Sequence, residues 1–138
     1  MNAMMFGRTE MKKLFVSVPM KGRTDKEISE SIMKMLRIAE AYEGEKLELI
    51  NSWVDEDPPA DCNRSIWYLG KSIEKLAEAD IFIGIRDTAG WAGCKIEADV
   101  AKAYKIKSYR VDSDIILDAS KMLTYAIANL MDTYNTKE

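Results

Sequence analysis

The sequence has no histidine. That absence removes mechanisms built on a Ser–His or Cys–His pair, and metal sites built on imidazole. Acid–base work near neutral pH would fall to carboxylates, lysine, tyrosine or cysteine. There are only two cysteines, Cys62 and Cys94, far apart and without a CxxC spacing. A disulfide framework is not expected, and a reducing, cytoplasmic setting fits better. No run of apolar residues approaches the ~18 needed to cross a membrane. Neither sign of charge dominates: 20 Lys+Arg against 23 Asp+Glu leaves −3. A nucleic-acid partner usually requires a basic face, and this balance argues against one.

What is present describes an ordinary globular chain. It has 138 residues, 47% hydrophobic and 31% charged, enough for one domain with a real core. Residues 1–10 are Met-rich but lack the basic head and long apolar stretch of a signal peptide, and read as a disordered extension. Residues 11–138 read as a single domain.

Apolar runs and helical periodicities alternate along it. Leu14–Val18 is a short strand stopped by Pro19. Thr24 and Glu27 have capping-box spacing ahead of an apolar stripe of Ile28, Ile32, Met35, Leu36 and Ala39, which Gly44 ends. Leu47–Trp53 alternates as a second strand. A second helix runs from about Asn63 or Ser65 to Glu78, with Ile66, Leu69, Ile73, Leu76 and Ala77 inward. Asp80–Ile85 is almost wholly apolar, as in a central parallel strand covered on both faces. A third helix spans about Gly93–Lys105, with Ile96, Val100, Ala103 and Tyr104 inward. Ile106–Val111 is a fourth strand, and a last helix covers roughly residues 115 or 118 to 131. The order βαβαβαβα predicts a flavodoxin/Rossmann-like, doubly wound α/β fold: a parallel sheet of four to five strands with helices on both faces. Such sheets bind ligands at the carboxyl ends of their strands, where the strand order switches. That rule selects the loops at 19–24, 53–62 and 86–97.

Candidate chemistry follows from those loops. Glu97 is placed in the first turn of the third helix, where backbone N–H groups favour an ionised carboxylate. Such a group can attack a sugar carbon as retaining glycosidases do, although acidic residues in first turns often only stabilise the helix. Pro19, Met20, Lys21, Gly22 and Arg23 form a turn in which Gly22 allows close approach and the two bases could hold a phosphate. The same residues could equally be an ordinary exposed turn, and neither GxxxxGK[ST] nor GxGxxG is present. Trp53 and Trp91 stand at or just beyond strand ends and could stack on a base or wall a pocket, whereas Trp67 lies in the second helix and could be core; for any single Trp, core packing is the plainer reading. Asp87 is the better placed second carboxylate. Asp80, at the amino end of its strand, reads as structural. Asp55, Glu56 and Asp57 could ligate a metal, but a solvated acidic run is the plainer reading, and no metal site is assigned. Cys94, near a helix start, could have a lowered thiol pKa, but it lacks the usual histidine base.

The stretch Leu14–Thr24 (LFVSVPMKGRT), with Leu76–Ile81 (LAEADI) and Gly90–Ala101 (GWAGCKIEADVA), resembles the signatures of the nucleoside 2-deoxyribosyltransferase-like superfamily. The nearest pattern is that of a bacterial and phage branch sharing Trp67–Ser72 (WYLGKS) and the Gly-Cys-x-Ile-Glu helix start. The resemblance covers about residues 11–111. It implies Glu97 as nucleophile on C1′ of a nucleoside or nucleotide. Phe15, Pro19, Met20, Lys21, Gly22, Arg23, Trp53, Asp87, Trp91, Gly93 and Cys94 would then lie around the substrate. No cofactor is implied, and the partners would be the small-molecule substrate and further copies of the chain in a homo-oligomer. The apolar stripe of Met122, Leu123, Ile127, Leu130 and Met131 could serve that interface or cover the sheet. Where the transferases carry an Asp for base handling this chain has Ser72, and where they carry a strand-one Tyr it has Phe15. A non-catalytic nucleotide-binding module or phage accessory protein is therefore the alternative.

Overall fold

The computed structural model describes residues 10–117. The expected N-terminal extension, apart from Glu10, and the expected last helix with its apolar stripe lie outside the described residues.

Among the described residues, four strands and three α-helices alternate: β1 (Lys13–Val16), α1 (Asp25–Glu43), β2 (Glu48–Leu49), α2 (Arg64–Leu76), β3 (Ile81–Ile85), α3 (Ala92–Ala103) and β4 (Lys107–Val111). A single 3-10 turn follows at Ser113–Ile115. The sheet is wholly parallel in the order β2-β1-β3-β4. This is the α/β, flavodoxin-like architecture expected, and its order reverses between β1 and β3. No helix among the described residues is long and apolar enough to cross a membrane.

Side-chain alternation sorts the core into two layers. Leu14, Val16, Ile81, Ile83 and Ile85 face α1, where they meet Ile28, Ile32, Met35 and Ala39. Phe15 and Phe82 face the other way, toward Leu76 of α2 and Ala98 and Ala101 of α3. The register Phe15↔Phe82 puts these rings 6.0 Å apart and within 8° of parallel. Thr24 and Glu27 form the anticipated capping box, and Gly44 closes α1 with a φ of 73°, in the left-handed region that glycine adopts without strain.

Several boundaries differ from the sequence reading. β2 is two residues long rather than seven. The backbone leaves the ladder after Ile50, because the Asn51 side chain accepts from the Trp53 amide at 3.0 Å and folds the chain into a local turn. α2 turns Ile66 outward, 65% exposed, and only Leu76 is fully buried. α3 is rotated from expectation. Ile96 and Tyr104 are exposed, and Cys94, Ala98 and Ala101 are buried instead. Small side chains let the helix axis approach the sheet, so the inward stripe is the small one and not the bulky one. Asp80 is structural as expected: its carboxylate accepts from the Lys13 amide at 2.8 Å at the amino end of the sheet.

Candidate active site

The buried stripe of α3 contains one polar member. Residues 94, 97, 98 and 101 recur at three- and four-residue spacings and share one helix face. Glu97 therefore points toward the sheet with Cys94, Ala98 and Ala101. It does not stand in the first turn of the helix. α3 begins at Ala92, so Glu97 lies in the second turn, and no acidic residue occupies the first. The favourable dipole fades within the first turn. The carboxyl group is instead placed by contacts with two other elements.

Ser17 supplies the first. It follows β1 directly and is 2% exposed. Its amide donates to Ile83 O at 2.9 Å, so the β1–β3 ladder fixes its backbone. The alternation that sends Val16 and Val18 toward α1 sends Ser17 toward α3. Its Oγ donates to Glu97 Oε1 at 2.6 Å. Ser72 supplies the second. It lies on α2 four residues before the buried Leu76, on the same face, and donates to Glu97 Oε2. β1, α2 and α3 thus converge on one carboxyl group at the carboxyl edge of the sheet, beside the switch between β1 and β3.

The electrostatics follow from this enclosure. Burial pushes the Glu97 pKa above the ordinary carboxylate value, while the hydroxyls of Ser17 and Ser72 pull it back. Cys94 is 7% exposed. Burial and the neighbouring Glu97 charge push its thiol up to about 12. The lowered pKa expected at a helix start is therefore not found: burial and the Glu97 charge outweigh the lowering by Ser17 and Arg23.

The other candidate residues divide by exposure. Phe15 (1% exposed), Trp91 (8%) and Pro19 are buried, Phe15 in the layer toward α2 and α3 and Trp91 in the layer toward α1. Arg23 turns back on the protein. It donates to Pro19 O at 2.8 Å and to Ser31 Oγ at 2.6 Å. These bonds tie the β1–α1 loop to α1. Lys21 Nζ donates to Ser65 Oγ at 3.3 Å and brings the same loop to the start of α2. Gly22 takes a φ of 78° at the tip of the turn. Met20 and Trp53 are 42% and 43% exposed. Asp87 is exposed and accepts from the Ala89 amide at 3.3 Å. Gly93 is also exposed, with open space where a Cβ would project.

Glu56 pairs with Lys71 at 3.0 Å, and no cluster of metal-ligating side chains occurs among the described residues.

Sequence reasoning found Glu97 but did not assign its partners. Ser17 is a lone hydroxyl in the strand run LFVSV, and that pattern break is the signal that could have marked it. Ser72 was noted only for the residue it replaces. Its place on the 65–69–72–76 face of α2 is a spacing that could have been read.

Comparison with known protein families, with curated proteins and with solved structures finds no match to this chain.

Proposed function

We propose that the chain binds a nucleoside or nucleotide at the carboxyl edge of the sheet and cleaves or transfers its N-glycosidic bond, with Glu97 as the nucleophile. The observation that supports this is the convergence of Ser17, Ser72 and Glu97 at the strand-order switch, where α/β sheets of this kind bind ligands. A carboxylate held by hydroxyl donors on both oxygens has a fixed direction of attack. In the reaction, one Glu97 oxygen bonds to C1′ as the C1′–N bond breaks. The electron pair leaves on the base nitrogen, which takes a proton from water. A water molecule or second base then attacks C1′ and releases Glu97, following the two-step logic of retaining glycoside chemistry. Met20, Gly22, Trp53 and Asp87 stand exposed and Lys21 half-buried in the neighbouring loops, and this reading assigns them to the substrate. A cytoplasmic homo-oligomer belongs to the same reading.

A second reading, nucleotide binding without turnover, draws on one observation. Both Glu97 oxygens already have protein partners, which is what a satisfied, non-reacting buried carboxyl requires.

Base release from deoxynucleosides and deoxynucleoside monophosphates separates the two. Glu97→Gln keeps the size of the side chain and removes the nucleophile. The expected outcome is loss of release by at least about a thousandfold, in line with removing a covalent nucleophile. Because the Glu97 pKa is raised, activity should disappear, as pH falls, earlier than for an ordinary carboxylate. Unchanged release in Glu97→Gln refutes the mechanism. Ligand-dependent thermal shifts with no product in the unmodified protein support the second reading.

A further inference from the structure

A hydroxyl between valines at the end of a buried strand is costly unless it is hydrogen-bonded. Ser17 meets that condition through Glu97, 80 residues away in the chain. Ser72 does the same from α2, 25 residues away. The two serines hold different oxygens of one carboxyl group, and each belongs to a different part of the fold. Neither donates to a backbone carbonyl of its own helix or turn in these contacts, the usual local use of serine.

We propose that Ser17 and Ser72 are positioning residues that fix both oxygens of Glu97 for attack on the sugar, an inference that rests on Glu97 acting as the nucleophile. Ser17 is the fixed brace, because its backbone is bonded into the β1–β3 ladder. Ser72 is carried on α2, four residues before the buried Leu76, and the exposed Ser65 at the start of that helix accepts from Lys21 of the β1–α1 loop. Donors to both oxygens also favour the anion, offsetting the burial that disfavours it.

The charged and titratable groups around the carboxyl leave this balance to the serines. Cys94, on the same helix, stays neutral far above neutral pH. Lys71, beside Ser72, is turned to Glu56. Arg23, in the loop after β1, is bonded to Pro19 O and Ser31 Oγ.

The test reads the Glu97 side-chain pKa directly, by carbon-detected NMR titration of the full chain, and needs no turnover. Ser17→Ala and Ser72→Ala are each expected to move that pKa upward by roughly one pH unit, the effect of losing one hydrogen bond to a charged group. Ser17→Thr and Ser72→Thr keep the hydroxyl and should restore it. Where base release is measurable, kcat should fall about tenfold in each alanine variant with KM little changed. The acid limb of the pH profile should move with the NMR value. If neither alanine variant moves the pKa, or if the threonine variants fail to restore it while remaining folded, the positioning role is overturned. Should the pKa shifts be found and no protein release base, the bracing geometry stands and it is the proposed glycosidic chemistry that fails.

Discussion

Glu43 offers the sharpest test of the electrostatics at the opposite edge of the sheet. It is the last residue of α1, and its side chain is only 2% exposed. Lys107 lies 2.7 Å from one carboxylate oxygen, and the Tyr109 hydroxyl donates to the same oxygen at 2.5 Å. Lys12 donates to the other at 3.3 Å. The Lys107 and Tyr109 bonds act most strongly, and together with Lys12 they hold its pKa down from 4.5 to about 2 despite its burial. A folded-state value below the unfolded one means stability that is present above about pH 4.5 and is lost as pH falls toward 2. By linkage, a drop of that size would be worth roughly 3 kcal/mol. The lysine side chains are 33% and 59% exposed, so water screens the cluster and about 1–2 kcal/mol is the realistic share. Glu43→Gln should therefore lower the stability measured by urea unfolding at pH 7 by about that amount. The gap between the two proteins should narrow steadily below pH 4.5 and close near pH 2. A gap that is independent of pH would refute the reasoning, because it would mean that packing rather than charge gives Glu43 its effect.

Two further predictions concern the site's surroundings. A Cβ built on Gly84 would lie 2.9 Å from the Phe82 ring and 3.6 Å from the Ser17 Cβ; with Phe82 fully buried and stacked on Phe15, Gly84→Ala should cost about 1–3 kcal/mol in urea unfolding, and a loss under about 0.5 kcal/mol would show that the ring has room to move. Cys62 is exposed and Cys94 buried, so a thiol reagent at neutral pH should label one cysteine in the folded protein and both after unfolding; rapid labelling of Cys94 in the folded state would contradict its raised pKa.

The fold was legible because its signals are strong and local. The apolar runs 14–18 and 80–85 are bounded by Pro19 and by charged residues, and Thr24 with Glu27 marks the start of α1. The alternation of elements then leaves few topologies. The α3 face was not legible because a search for bulky apolar residues finds Ile96, Val100 and Tyr104. The helix packs through Cys94, Ala98 and Ala101, whose small size carries the signal. β2 fell short because Asn51 offers a competing turn that periodicity cannot weigh. Glu97 could be singled out from its loop, but its partners could not. Ser17 and Ser72 reach it only through tertiary contacts, and a serine's role depends on what lies opposite. Arg23 reads as a phosphate ligand from its neighbours in sequence. Only the fold brings Ser31 within its reach.

The bracing of Glu97 ties the site to α2, which has the fewest buried side chains of the three described α-helices. α1 and the two central strands are joined by deep apolar contacts, whereas α2 contributes one fully buried side chain, Leu76. Segments with few buried contacts open first, well before the whole molecule unfolds. An excursion of α2 alone would carry Ser72 away from Glu97 and leave the sheet and α1 intact. The carboxyl group would then face water with one brace instead of two. On that reasoning the assembled site would last only as long as α2 stays closed, a shorter time than the fold that contains it.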